Sequence, residues 1–201
     1  MMSVSSETRS KLIEATIAII ERDGESGVRV DAVVEAAGFT KPVLYHHFSD
    51  RDGLIAAAQA ELFRRSLEHG IERATARVEE AKSQEEFIDV MRSLLAAYAQ
   101  PDGIERRKFR ITVLGAASSR PELLEQVREA SRLHVDEFAV LLGLAETRGW
   151  LRPGVPIRDF AQWWVGLVLS RHLFDIDPDG FSANSWDEIT NRVLVLVVKD
   201  V

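Results

Sequence analysis

Among the residue types able to do chemistry, one short stretch concentrates side chains suited to nucleic-acid contact: Lys41, Pro42, Val43, Tyr45, His46, His47 and Arg51. No carboxylate lies between Glu35 and Asp50, so a surface built here approaches phosphates without repulsion from its own sequence neighbours. His46 and His47 are also metal-ligand types, but adjacent positions on a helix point in different directions and do not converge on one ion. A second candidate, Asp175-Ile-Asp-Pro-Asp-Gly180, imitates the first half of a calcium loop; its twelfth position is Trp186, where a bidentate glutamate is needed. Neither stretch makes a convincing metal site, and the sequence asks for no cofactor. Nucleophile–base–acid spacing, a glycine-rich phosphate loop and a His-Glu-x-x-His helix are all missing, which leaves an enzyme reading without residues.

The groove-reading types need a scaffold, and the flanking sequence supplies one. Val30, Val33, Val34 and Ala37 form one apolar face over about two helical turns, and Gly38 follows, the residue that most easily closes a helix in the left-handed conformation. Thr40 is an N-cap type, and Pro42 sits in the first turn of the next helix, where its missing N–H has no partner to lose. This second helix begins at Lys41. Leu44 and Phe48, four apart, face inward and leave the polar residues outside. The pattern is a helix-turn-helix.

These residues resemble the TetR (tetracycline-repressor) family of bacterial transcription regulators. The family's signature of an alanine-glycine turn, a hydroxyl cap, leucine-tyrosine, two ring residues, phenylalanine and a basic residue reads here as Ala37-Gly38-Phe39-Thr40, Leu44-Tyr45-His46-His47-Phe48 and Arg51. The likeness runs from Lys11 through Gly24 to about Ala58, roughly the first quarter of the chain. Arg29 stands where the resemblance implies a phosphate-binding Ser or Thr, and Val43 where a small hydroxyl is common. Backbone contact then passes to Arg29, and Val43 favours an apolar partner such as a thymine methyl. The resemblance implies a homodimer on a pseudo-palindromic double-stranded DNA operator. It also implies a C-terminal domain that binds a small effector, usually releasing a repressor from its site.

Composition bounds the rest. The chain has 201 residues, a formal charge of −7 and no cysteine. The acidic balance confines any DNA contact to a local patch, and the lack of thiols excludes a disulfide framework and fits a reducing cytoplasm. Neither a signal-like apolar segment nor a run long enough to span a bilayer occurs, so no membrane partner is expected.

Periodicity and caps predict an all-α chain of about nine helices: a helix-turn-helix domain over residues 1–48 and an effector-binding and dimerisation domain over 49–201. The first helix runs from about Glu7 to Arg22. The fourth opens at a Ser49/Asp52 capping box and continues toward Arg77, a lever between the domains. Further boxes are read at Ser83/Glu86, Asp102/Glu105, Ser119/Glu122 and Ser185/Glu188. A helix from about Arg120 to Arg148 ends in Gly149-Trp150, and one from Ile157 to Phe174 is apolar nearly all round. The last, carrying Trp186, Ile189, Val193 and Leu196, reads as helix although VLVLVV has strand composition.

Two sites follow from these stripes. Met91, Leu94, Tyr98, Phe109, Val113, Ser131, His134 and Phe138 are the expected lining of an effector pocket suited to an apolar or aromatic ligand, although such stripes are usually plain core. Trp163, Trp164, Leu167, Arg171, Ile189, Val193 and Leu196 are the expected dimer face; the two tryptophans point about 100° apart, so only one faces its own core. The alternatives are a DNA-binding dimer without an effector, marked by the lack of a cavity, and an enzyme, marked by convergent titratable groups.

Overall fold

A computed structural model describes residues 4–68, 70–177, 179–180 and 182–198, excluding the side chains of Val4 and Ala183. The described residues form helices α1 (Val4–Asp23), α2 (Val30–Ala37), α3 (Lys41–His47), α4 (Arg51–Glu68), α5 (Ile71–Glu80), α6 (Gln84–Ala99), α7 (Pro101–Ala117), α8 (Pro121–Thr147), α9 (Ile157–Ser170), α10 (His172–Ile176) and α11 (Ala183–Val197), with a 3-10 turn at Glu25–Gly27. No strand occurs among them; Leu151 and Val198 make an isolated antiparallel bridge. The all-α class stands. The helices exceed nine because the long fourth segment ends at Glu68 and Gly70 takes φ 97°, and because the segment expected to reach Phe174 breaks at Arg171.

Two compact units emerge. Of the described residues, the first holds those up to 65 and 113–130, the second those within 66–112 and those after 130. In the first, Leu12, Ile13, Ile17 and Ile19 of α1 pack with Val33, Val34, Leu44, Phe48, Leu54 and Ile55. The polar Thr16 is buried there with its hydroxyl satisfied, donating to the Leu12 carbonyl at 2.8 Å. A polar clasp adds to this unit: Glu25 accepts from Gln59 Nε2 at 2.9 Å and from Arg120 at 2.8 Å, and Arg120 also donates to Gln59 Oε1. It joins the 3-10 turn, α4 and the start of α8.

The second unit is built on Phe87, Val90 and Met91 of α6 with Phe138, Leu141 and Leu142 of α8, Trp164 of α9 and Leu194 of α11. Arg148 caps the end of α5 through the carbonyls of Val78, Ala81 and Glu79, and lies 4.9 Å over the Trp150 ring. The Gly149-Trp150 stop forms as expected, Trp150 N–H bonding to the Ala145 carbonyl at 3.0 Å.

The caps are corrected in detail. Ser83 does cap α6, its hydroxyl accepting from Glu86 N–H, while Glu86 accepts from Lys82 N–H. Elsewhere a neighbour takes the role: Asp50 rather than Ser49 at α4, accepting from Gly53 N–H at 2.7 Å, and Ser182 rather than Ser185 at α11. Ser119 donates to the Ala116 carbonyl and so closes α7 instead of opening α8. At α7 the helix starts at Pro101, and Asp102 lies inside its first turn.

Candidate nucleic-acid interface and internal cavity

The motif's geometry starts at Gly38, which ends α2 at φ 73°, ψ 30°, with its N–H and that of Phe39 returning to the Glu35 and Val34 carbonyls. A side chain there is strained, and the chain needs this conformation to reverse within two residues. Thr40 is extended, and its carbonyl accepts the Val43 and Leu44 N–H groups that start α3; its hydroxyl makes no capping bond and stays exposed. Leu44 is fully buried and Phe48 nearly so, with Arg9 lying 5.3 Å over the Phe48 ring. This inward anchor leaves Lys41, Pro42, Tyr45 and His46 exposed and Val43 and His47 half-buried. The His46 and His47 rings meet edge to face at 5.2 Å.

Two side chains are placed otherwise than the sequence suggests. Lys41 is paired with Asp31 of α2 at 2.6 Å, so a carboxylate absent from the local sequence is present in space, and it holds the ammonium more firmly protonated. The pair is exposed and screened by solvent, little hindrance to exchanging Asp31 for a phosphate. Arg51, expected on a phosphate, instead donates from Nε to the Val28 carbonyl at 2.7 Å and from Nη2 to the Glu25 carbonyl at 2.9 Å, with Asp52 at 3.2 Å. It latches the loop before α2 to the start of α4. Arg29 occupies the N-cap position of α2, exposed and without a side-chain capping bond.

The latch gives Arg51→Ala a distinct signature. Loss of the two carbonyl bonds is expected to lower stability by about 1–3 kcal/mol. DNA affinity should then fall through a misoriented α2–α3 pair, with the salt slope nearly unchanged. A phosphate contact would instead drop the slope by about one unit. Denaturation together with titrations at several salt concentrations separates the two, and a slope change of one unit with unaltered stability would restore the phosphate role.

No group of three or more His, Cys, Asp or Glu is arranged to hold a metal among the described residues. In the calcium-like stretch Asp175 is spent on Arg107, and Asp177 accepts the Gly180 N–H at 2.9 Å in a turn. Pro178 lies outside the described residues.

The second unit encloses a small cavity lined by Ile71, Leu94, Tyr98, Arg110, His134, Phe138, Trp164, Val165 and Val168. A water-sized sphere has about 10 Å³ to move in, room for one water. Of the expected lining, Leu94, Tyr98, His134 and Phe138 are brought together. Met91 is sealed in the core, Phe109 and Ser131 are half-buried and do not line the cavity, and Val113 belongs to the first unit. Arg110, which also lines the cavity, is missing from the expected lining, because an arginine on a helix reads as solvated surface. Trp164, read as a dimer residue, stacks on Phe138 at 5.8 Å and lines the cavity.

Electrostatics in the cavity are uncommon. Arg110 is buried, donating to the Ser66 carbonyl and hydroxyl, and burial lowers its pKa. His134 is pushed down to about 4 by burial and then by the Arg110 charge, so its imidazole is neutral near pH 7. Its buried Nδ1 has no hydrogen-bond partner.

The expected dimer face divides. Trp163 is 44% exposed whereas Trp164 is 3% exposed, which settles which of the two points outward. Ile189 and Leu196 are exposed, and Leu167 and Val193 half-buried. Arg171 is removed from the face: it is buried, paired with Asp187, and lies 5.1 Å over the Trp186 ring.

Comparison with known proteins follows the same lines. Residues 12–58 match the model of the bacterial regulatory proteins of the tetR family. The HTH-type transcriptional regulator CymR of Pseudomonas putida is 28% identical over 73% of this chain and 69% of that protein. The HTH-type transcriptional repressor AcnR of Corynebacterium diphtheriae is 24% identical over 96% of this chain and 90% of its own. A TetR-family transcriptional regulator from Rhodococcus sp. has the same fold, with a TM-score of 0.64 at 22% identity over 96% of this chain and the whole of that one. No helix among the described residues is long and apolar enough to cross a membrane. With the motif matched in sequence over residues 12–58 and formed in space, and the likeness to such regulators running nearly end to end, the chain is similar to the TetR-family transcriptional regulators of bacteria.

Proposed function

We propose that this protein is a repressor that binds a pseudo-palindromic operator as a homodimer and is released by a small apolar or aromatic effector held in its second unit. The observation that carries the DNA reading is α3, anchored by Leu44 and Phe48 with Lys41, Pro42, Tyr45 and His46 outward. The helix-turn-helix within residues 1–48 reads the groove, with Arg29, Thr40, Val43 and His47 beside that face, and the second unit, within residues 49–201, carries the effector and dimer functions. Release is linkage: an effector that prefers the conformation with badly spaced recognition helices weakens operator binding by its differential affinity for the two states. Contributing residues to both units, α4 is the transmitter.

Selection of bound duplexes from a random pool tests this reading. An inverted repeat with half-sites about one helical turn apart, or a multiple of it, is expected. Lys41→Ala should then weaken all recovered sequences alike and reduce the salt slope by about one unit. Enrichment of no sequence, or of an unpaired half-site, counts against a dimeric repressor. The second reading, a DNA-binding dimer without an effector, draws support from the small size of the cavity, about 10 Å³.

A further inference from the structure

Among the described residues of the second unit three guanidinium groups are buried, and the structure treats one of them differently. Arg107 is matched by Asp175 and Arg171 by Asp187. Arg110, 4% exposed, donates only to neutral groups, the Ser66 carbonyl and the Ser66 hydroxyl at 3.1 Å, with Tyr98 beside it in the cavity lining. Among the described residues no carboxylate pairs with it, and the nearby charges acting on it, Arg106 and Arg107, are themselves positive. A buried cation without a counter-ion is costly, and a fold that pairs its neighbours has left this one open to a partner.

A second polar group meets it in the same cavity. His134 is 5% exposed and lines the space, and its Nδ1 is buried with no partner. A neutral imidazole carries one N–H donor and one acceptor, so it can donate to an anion beside Arg110 without adding charge. Everything else around them is apolar or aromatic: Ile71, Leu94, Phe138, Trp164, Val165 and Val168. Such a lining selects a molecule with an apolar body and one charged end.

We propose that this cavity takes an amphipathic monoanion, a carboxylate on an apolar or aromatic body, with Arg110 receiving the carboxylate and His134 donating a second hydrogen bond. The proposal rests on the effector reading and names the ligand class for it. Guanidinium and carboxylate match in a planar, bidentate geometry that a hydroxyl or an ammonium cannot reproduce. The apolar body would enter by displacing side chains around Trp164 and Phe138, whose stacked rings close the apolar side.

The test compares matched probes on the full-length protein: naphthoate, naphthylmethanol and naphthylmethylamine, then decanoate and decanol. Tryptophan fluorescence and release of the selected duplex are read together. A carboxylate is expected to bind roughly tenfold or more tightly than its alcohol, with no detectable binding of the amine. Arg110→Met should level acid and alcohol, while Arg110→Lys retains part of the preference. Should Arg110→Met melt before titration, Arg110→Gln, which keeps donors for Ser66 but carries no charge, makes the same comparison. If the alcohol or amine binds and releases DNA as well as the acid, the proposal falls and the effector reading stands. If no probe binds or releases DNA, the two fall together.

Discussion

Replacing Arg107 with Met is expected to cost about 3–5 kcal/mol. Arg107 is fully buried and makes a bidentate contact with Asp175, Nε to Oδ2 at 2.8 Å and Nη2 to Oδ1 at 2.7 Å, while Nη1 donates to the Tyr98 carbonyl. The Asp175 side chain is only 6% exposed, and its other neighbour, His172 Nδ1, stands 3.8 Å away. Removing the guanidinium therefore strands a carboxylate in the interior and leaves the Tyr98 carbonyl without that donor. The double variant Arg107→Met with Asp175→Leu removes both charges and should recover most of the loss, because a buried pair contributes little beyond satisfying its own desolvation. Urea unfolding of the two variants measures the difference. If the double variant is as unstable as the single one, packing around α10 rather than stranded charge is responsible.

That pair also shows where sequence reasoning stops. Asp175 reads locally as the first acid of an ion-binding loop, yet its partner lies 68 residues upstream on another helix. Nothing in the spacing of either segment announces the other. The same holds for Lys41 with Asp31, for Arg51 with the Val28 carbonyl and for Arg110 with Ser66. Charged residues on a helix are read by default as a solvated face, so the two arginines of α7 that point inward were invisible to periodicity. What was legible was local. Gly38, Thr40 and the Leu44/Phe48 spacing determine the turn between α2 and α3, and the apolar stripes of α6 and α8 carry Leu94, Tyr98, His134 and Phe138 to one cavity. Caps fell between these extremes. Ser182 and Ser185 offer the same hydroxyl, and the N–H three residues on chooses the one whose backbone is already extended.

The dimer prediction draws on both kinds of information, since helical period identified α9 and α11 and burial now selects the residues. TetR-family regulators act as dimers, and we place the twofold interface on these helices. Trp163 is 44%, Ile189 62% and Leu196 64% exposed in the single chain, with Val195 at 44%. Leu167 continues the Trp163 face one turn on, and Val193 lies between Ile189 and Leu196. Arg171, at the end of α9, is bound to Asp187 near the start of α11, which ties the two helices together within one chain. An apolar surface of this kind is a liability unless covered, and an isologous pairing would cover it twice over. Because Ile189 and Leu196 are exposed in the monomer, the double change Ile189→Glu with Leu196→Glu leaves the chain's own core untouched, unlike charges at half-buried Leu167 or Val193. Like charges facing their symmetry mates should split the dimer. Each half-site is then bound alone, and operator affinity should fall by about two orders of magnitude or more as the linked second contact is lost. Sedimentation, circular dichroism and operator titration on one preparation measure assembly, fold and affinity. A variant that remains folded, dimeric and tightly bound would move the interface elsewhere, with the exposed Leu133 and Val140, seven residues apart on α8, the next face to charge.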